Sequence, residues 1–187
     1  MGEGARMKVF PKVFLIVCIL VIVLFAAPFE GLCGENGFSL GYGFAAFNNQ
    51  RATGEVEGKK HYNFIQAVYV YERPFSTKEL ALLVEPYAAY VNKPNSGADA
   101  GLGLGIKYYP ARTDKGGFYM MAGTGMAYTS IGFQEQGTHL LFILLGGLGY
   151  RYKNLFIEDR FRHYSNGGTA SPNWSVNANI ISLGTYF

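Results

Sequence analysis

The chain has 187 residues, room for one domain, with a net charge of +3, 16 % aromatic residues, 25 glycines and two cysteines. Both cysteines, Cys18 and Cys33, fall at the N-terminus, so the rest of the chain has no disulfide framework, no thiolate nucleophile and no cysteine metal site. Residues 1–33 carry three basic and two acidic side chains; without them the charge is about +2, too small to argue for nucleic acid.

The N-terminus reads as an export signal. Arg6, Lys8 and Lys12 give a basic start, Val13 to Ala27 is an apolar run, and Pro28, Gly31 and Gly34 follow as small or turn-forming residues. That order is the one secretory signals use, and the run is shorter than the roughly 20 residues of a membrane helix. Residues 1–33 are therefore expected to be a signal peptide, with Cys33 raising lipid attachment as the other processing route, and residues 34–187 the working domain.

Gly, Pro, Asn and Ser punctuate that domain into eight strand-like segments. They run approximately Phe38–Phe47, Lys60–Glu72, Glu79–Asn92, Asp99–Tyr109, Gly117–Thr129, Thr138–Tyr152, Leu155–Asn166 and Ser175–Phe187. Each is about ten residues or more, where a membrane-crossing strand needs about 9–11 and an ordinary globular strand about 5–6. The expected fold is all-β: an eight-stranded antiparallel transmembrane β-barrel in the outer membrane. Connections one, three, five and seven (Asn48–Lys59, Lys93–Ala98, Ser130–Gly137, Gly167–Trp174) read as the longer set, and those between them (Arg73–Lys78, Pro110–Gly116, Lys153–Asn154) as mostly shorter. Short periplasmic turns and longer external loops produce that alternation.

Dyad patterning is clearest in the seventh segment. Leu155, Ile157, Asp159, Phe161, His163 and Ser165 share one face, and Phe156, Glu158, Arg160, Arg162 and Tyr164 share the other. The charged face suits a small polar lumen and the apolar one lipid. In the eighth segment Asn177, Asn179, Ile181, Leu183, Thr185 and Phe187 share a face. The terminal Phe187 resembles the mark by which the barrel assembly machinery recognises outer-membrane barrels. Trp174 and the tyrosines are expected in interfacial belts.

His163 and Ser165 therefore point the same way, as a base and a hydroxyl nucleophile must. With both termini periplasmic, the pair sits at the outer end of its strand on the lipid side, beside the headgroups of the outer leaflet. The ester-bearing lipid of that leaflet in a Gram-negative cell is lipid A. Folding the last hairpin symmetrically about Ser171 sets Asn177 opposite Ser165 and Asn179 opposite His163. Either amide could orient the imidazole. Asn173, or backbone N–H groups near Gly167 and Gly168, could hold an oxyanion.

Other residues carry less. Asp159 shares the face of His163 but lies four residues back, about 13 Å along a strand. His61 and His139 start strands and read as rim residues, and three histidines without a carboxylate cluster give no metal signal. Gly101, Gly103 and Gly105 alternate on one strand face, where small residues make room for bulky neighbours; no helix follows to complete a nucleotide loop.

The run His163-Tyr164-Ser165-Asn166-Gly167-Gly168, followed by Pro172-Asn173 and a closing strand to Phe187, resembles the PagL lipid A 3-O-deacylase family. The resemblance implies an eight-stranded outer-membrane barrel that hydrolyses the ester-linked acyl chain at the 3-position of lipid A in lipopolysaccharide. It implies His163 as base, Ser165 as nucleophile and Asn173 in the oxyanion hole. It places Asn177 where the family's acidic residue stands, and it implies no cofactor. A non-enzymatic eight-stranded barrel, in adhesion or envelope structure, is the alternative, and the long Asn48–Lys59 connection favours it.

Overall fold

The structure is a computed structural model and describes residues 34–46, 62–75, 77, 79–93, 96–113, 116–131, 133 and 136–187. The expected export signal with Cys33, the Asn48–Lys59 connection and His61 lie outside the described residues.

Eight strands form: β1 (Glu35–Ala45), β2 (Asn63–Pro74), β3 (Leu80–Lys93), β4 (Gly97–Tyr108), β5 (Gly116–Thr129), β6 (Leu140–Tyr152), β7 (Leu155–Ser165) and β8 (Val176–Tyr186). Each pairs antiparallel with the next, and β8 returns to β1 through Gly37↔Tyr186 to Ala45↔Ala178. Closure leaves no unpaired strand edge, which a lipid environment requires because it offers no water to backbone donors and acceptors. The expected eight-stranded antiparallel barrel is thus the architecture found.

The alternation of connection lengths fails at one place. β3 runs to Lys93 and β4 starts at Gly97, so the third connection is shorter than the second, Phe75–Glu79. Strand pairing continues to Val91↔Gly97, and the strands take in Lys93, Gly97 and Ala98, which were expected in the loop.

The lumen is filled by the charged face that the seventh segment announced. Arg160, 1 % exposed, donates to both Glu85 oxygens at 2.5 and 2.6 Å and also meets Glu158 at 2.5 Å, which accepts the Tyr119 hydroxyl at 2.8 Å. Toward the rim that carries both barrel ends, Glu72 accepts Tyr109 at 2.9 Å and Tyr186 at 2.5 Å and pairs with Lys107 at 3.3 Å. Arg151 closes that rim with both oxygens of Glu35, at 2.6 and 2.7 Å. Buried charges survive only with such partners, since desolvation costs several kcal/mol per ion.

Six of the 14 tyrosines, Tyr62, Tyr87, Tyr109, Tyr119, Tyr164 and Tyr186, are buried in this interior rather than set in belts. The hydroxyls of Tyr62, Tyr109, Tyr119 and Tyr186 donate to carboxylates there, as Tyr62 does to Asp99 at 2.7 Å. Gly101 makes room for one of these rings: a Cβ there would lie 2.7 Å from Tyr87. Outside, Leu104, Ile106, Leu144, Leu148, Ile157 and Leu183 are exposed in mid-strand and form the apolar surface that faces lipid.

Candidate active site on the β7–β8 hairpin

β7 alternates strictly between exposed or half-exposed and buried residues from Leu155 to Ser165. That alternation turns Arg160, Arg162 and Tyr164 inward and leaves His163 and Ser165 half-buried on the outward face, at the rim opposite the barrel ends.

β8 lies beside β7 with a register that differs from symmetric folding about Ser171. Asn177 stands opposite His163, and Asn179 opposite Phe161. Pairing stops at Tyr164↔Val176, and Ser165 passes beyond the end of β8 toward the loop. The reason is local. Asn166 is fully buried and donates its side-chain amide to the carbonyls of Gln136, Ala170 and Pro172 at 2.6, 2.9 and 2.9 Å. It anchors the loop from inside and moves its centre one residue toward β7.

His163 Nδ1 lies 2.7 Å from Asn177 Oδ1. With the amide oxygen as acceptor, Nδ1 holds the imidazole proton and Nε2 keeps its lone pair, the tautomer a general base needs. Asn179 is engaged elsewhere: its Nδ2 donates to Asp159 Oδ1 at 3.0 Å.

Ser165 Oγ donates to Asn173 Oδ1 at 3.1 Å and accepts the Gly167 N–H at 3.1 Å. The Asn166 backbone N–H also reaches Asn173 Oδ1, at 3.1 Å. A backbone N–H can only donate, so the oxygen end of Asn173 faces the serine and Nδ2 points away from that contact. The serine proton is directed at Asn173 in this arrangement, and transfer to His163 requires the hydroxyl to turn.

The two glycines differ in what they offer. The Gly168 N–H is bonded to Asn166 Oδ1 at 2.8 Å, whereas the Gly167 N–H points at Ser165 Oγ. Gly167 has φ +61°, and a Cβ there would lie 2.9 Å from the Phe142 ring. Both the backbone and the aromatic floor demand glycine at this position.

Gln136 is a participant the sequence did not mark. It comes from the connection between β5 and β6, is fully buried, and donates its side-chain amide to the Tyr164 carbonyl at 3.3 Å and to the Trp174 carbonyl. Its own carbonyl receives Asn166. Nothing in an isolated loop glutamine signals such a contact.

His139, by contrast, sits at the rim with Nδ1 2.7 Å from the Thr129 carbonyl and its ring stacked on Tyr128. Among the described residues no group of His, Cys, Asp and Glu side chains could hold a metal ion.

The arrangement gathers an imidazole, a hydroxyl, an amide bonded to the imidazole and a backbone N–H aimed at the hydroxyl on a lipid-facing surface. A family model described as PagL, lipid A 3-O-deacylase, matches residues 65–186. Among solved structures, the outer membrane enzyme PagL aligns at 17 % identity with a TM-score of 0.58, over 79 % of this chain and 98 % of that one. The N-terminal β-barrel domain of Pseudomonas aeruginosa OprF aligns at 14 % identity and TM-score 0.47, covering 81 % and 98 % of the two chains. Ail, the attachment invasion locus protein of Yersinia pestis, aligns at 14 % and 0.49, covering 82 % and 99 %. No curated protein matches. The family match runs from β2 to the end of β8 and takes in the whole β7–β8 hairpin with its histidine, serine and asparagines, and the chain belongs to the PagL family of lipid A 3-O-deacylases.

Proposed function

We propose that this protein is an outer-membrane lipid A 3-O-deacylase working as a serine esterase. The observation that carries the mechanism is the hydrogen bond between His163 Nδ1 and Asn177 Oδ1, on the face and at the strand end where Ser165 stands. The rim bearing Ser165 faces the outside of the cell, so the site meets the ester bonds of outer-leaflet lipid A at headgroup depth.

His163 Nε2 takes the proton of Ser165 as Oγ bonds to the carbonyl carbon of the 3-linked acyl chain. The carbonyl oxygen becomes an oxyanion beside the Gly167 N–H, and Asn173 becomes the second donor once its side-chain amide turns to bring Nδ2, in place of Oδ1, toward Ser165. Collapse breaks the bond to the sugar oxygen, which leaves with the proton from His163. Water, deprotonated by the same imidazole, then frees the fatty acid from Ser165. Every step uses this chain's own side chains.

The basic start and apolar run at the N-terminus and the closed barrel support the remaining assignments. Residues 1–33 export the chain and are removed, and the barrel assembly machinery inserts the barrel into the outer membrane.

The test is lipid A mass spectrometry on Gram-negative cells expressing the full chain. Loss of one 3-linked hydroxyacyl chain is expected with the wild type and not with Ser165→Ala. Unchanged lipid A from cells holding a folded, heat-modifiable wild-type barrel would sink the proposal.

A further inference from the structure

Asp159 faces outward and is exposed in the middle of β7. Among the described strand residues it is the only charged side chain that points outward away from a strand end. Charge on the lipid face of a barrel costs free energy, most near the midplane. Neither the fold nor the proton transfers just described use this carboxylate.

Its surroundings connect it with the site. Asp159 accepts the Asn179 amide at 3.0 Å, and Asn179 stands next to Asn177 on the outward face of β8. Asn177 in turn meets His163 at 2.7 Å. Ser165, His163, Asn177, Asn179 and Asp159 thus form a continuous polar stripe across an otherwise apolar surface, with the only full negative charge at its lower end.

Resting on the serine esterase reading, we infer that Asp159 is a positioning residue that supplies the negative charge missing from position 177. When His163 takes the serine proton, the imidazolium needs an anion. Asn177 fixes the ring but carries no charge. Asp159 lies four residues along the same strand, about 13 Å at strand rise. Lipid on one side keeps water from screening the interaction. Across an effective dielectric of about 20, a unit charge at that distance is worth about tenfold in rate. Asn179 holds the carboxylate on the side of the stripe that faces Asn177.

The test measures kcat and KM for acyl release from lipid A in detergent with purified, heat-modifiable protein. Asp159→Asn is nearly isosteric; it is expected to lower kcat about tenfold and leave KM unchanged. Asp159→Glu keeps the charge and is expected to stay within about threefold of the wild type. In an Asn177→Asp background the Asp159→Asn effect should fall below about twofold, because the charge is then supplied at position 177. Wild-type kcat in Asp159→Asn, or an equal loss in both backgrounds, overturns the inference. Full activity in Ser165→Ala would instead overturn the esterase reading beneath it.

Discussion

His163 and Asn177 stand directly opposite each other in the β7–β8 pair, joined by a 2.7 Å contact between Nδ1 and Oδ1. An amide there holds the ring in the tautomer that keeps Nε2 free, which a carboxylate would also do, but it does not compensate the charge that develops on the imidazole. Asn177→Asp is expected to raise kcat at least about tenfold, because an anion in contact stabilises the imidazolium directly. Asn177→Leu frees the ring and is expected to lower kcat about 10²-fold, the scale of a lost acid–base contribution. Single-turnover rates on detergent-solubilised lipid A measure both. Equal rates for the wild type and Asn177→Leu would show that the contact does not orient the base.

Asn166 makes a second prediction. Its amide reaches three carbonyls, its Oδ1 holds the Gly168 N–H, and its backbone N–H holds Asn173. Asn166→Ala strands buried carbonyls, each costing about 1–3 kcal/mol. The cost falls on the loop rather than on the strands, so the loop opens before the barrel unfolds. Limited proteolysis should cut residues 166–175 faster in Asn166→Ala, with the heat-modification temperature nearly unchanged and kcat reduced about 10-fold or more. Gln136→Leu, which removes the donor to Tyr164 and Trp174 from the neighbouring connection, should give the same pattern. A drop in barrel melting with normal loop proteolysis would contradict it.

The parts of the fold that sequence reveals are those with a strong dyad signal. β7 places Glu158, Arg160 and Arg162 between Leu155, Ile157 and Phe161, so its lumen face and the outward position of His163 and Ser165 follow from alternation. The tyrosines resist that reading because a phenol suits both a lumen and a membrane interface. Tyr119 turned inward because Glu158 accepts its hydroxyl, a partner 39 residues away. The β7–β8 register was also hidden. Alternation constrains the face of a residue and not the partner it meets, and a symmetric loop put Asn177 opposite Ser165, two β7 residues nearer the loop than its partner His163. The anchoring of Asn166 by Gln136 is a contact between two loops, for which no periodicity exists.

The lumen gives a prediction on stability separate from the site. Arg160 is shared by Glu85 and Glu158, with all three side chains buried. Arg160→Met leaves two carboxylates side by side without a cation. Removing one partner of a buried ion pair costs about 3–5 kcal/mol, whereas replacing the whole set by apolar residues is often neutral. Arg160→Met should therefore lower the urea midpoint of barrel unfolding markedly, and adding Glu85→Leu and Glu158→Leu should restore most of it. Equal midpoints for Arg160→Met and the wild type would mean that the lumen is wet enough to solvate both acids.

Gly167 tests the oxyanion side. Its N–H lies 3.1 Å from Ser165 Oγ, and its φ of +61° sets the direction of that donor. A side chain in this conformation costs about 1–2 kcal/mol, and its Cβ would also press on Phe142 at 2.9 Å. Gly167→Ala relieves both by rotating the peptide, which swings the N–H away from Ser165 Oγ. The barrel should remain intact, since the turn lies beyond the last β7–β8 pair. Losing one oxyanion donor costs about 10²–10³ in kcat with little change in KM. Gly168→Ala is the control: its φ is +81°, but a Cβ meets nothing within 4 Å and its N–H is committed to Asn166. It carries the same backbone penalty without touching the donor, so its kcat should stay well above that of Gly167→Ala. Comparable losses in the two variants would assign the effect to loop strain and remove the Gly167 N–H from the oxyanion hole.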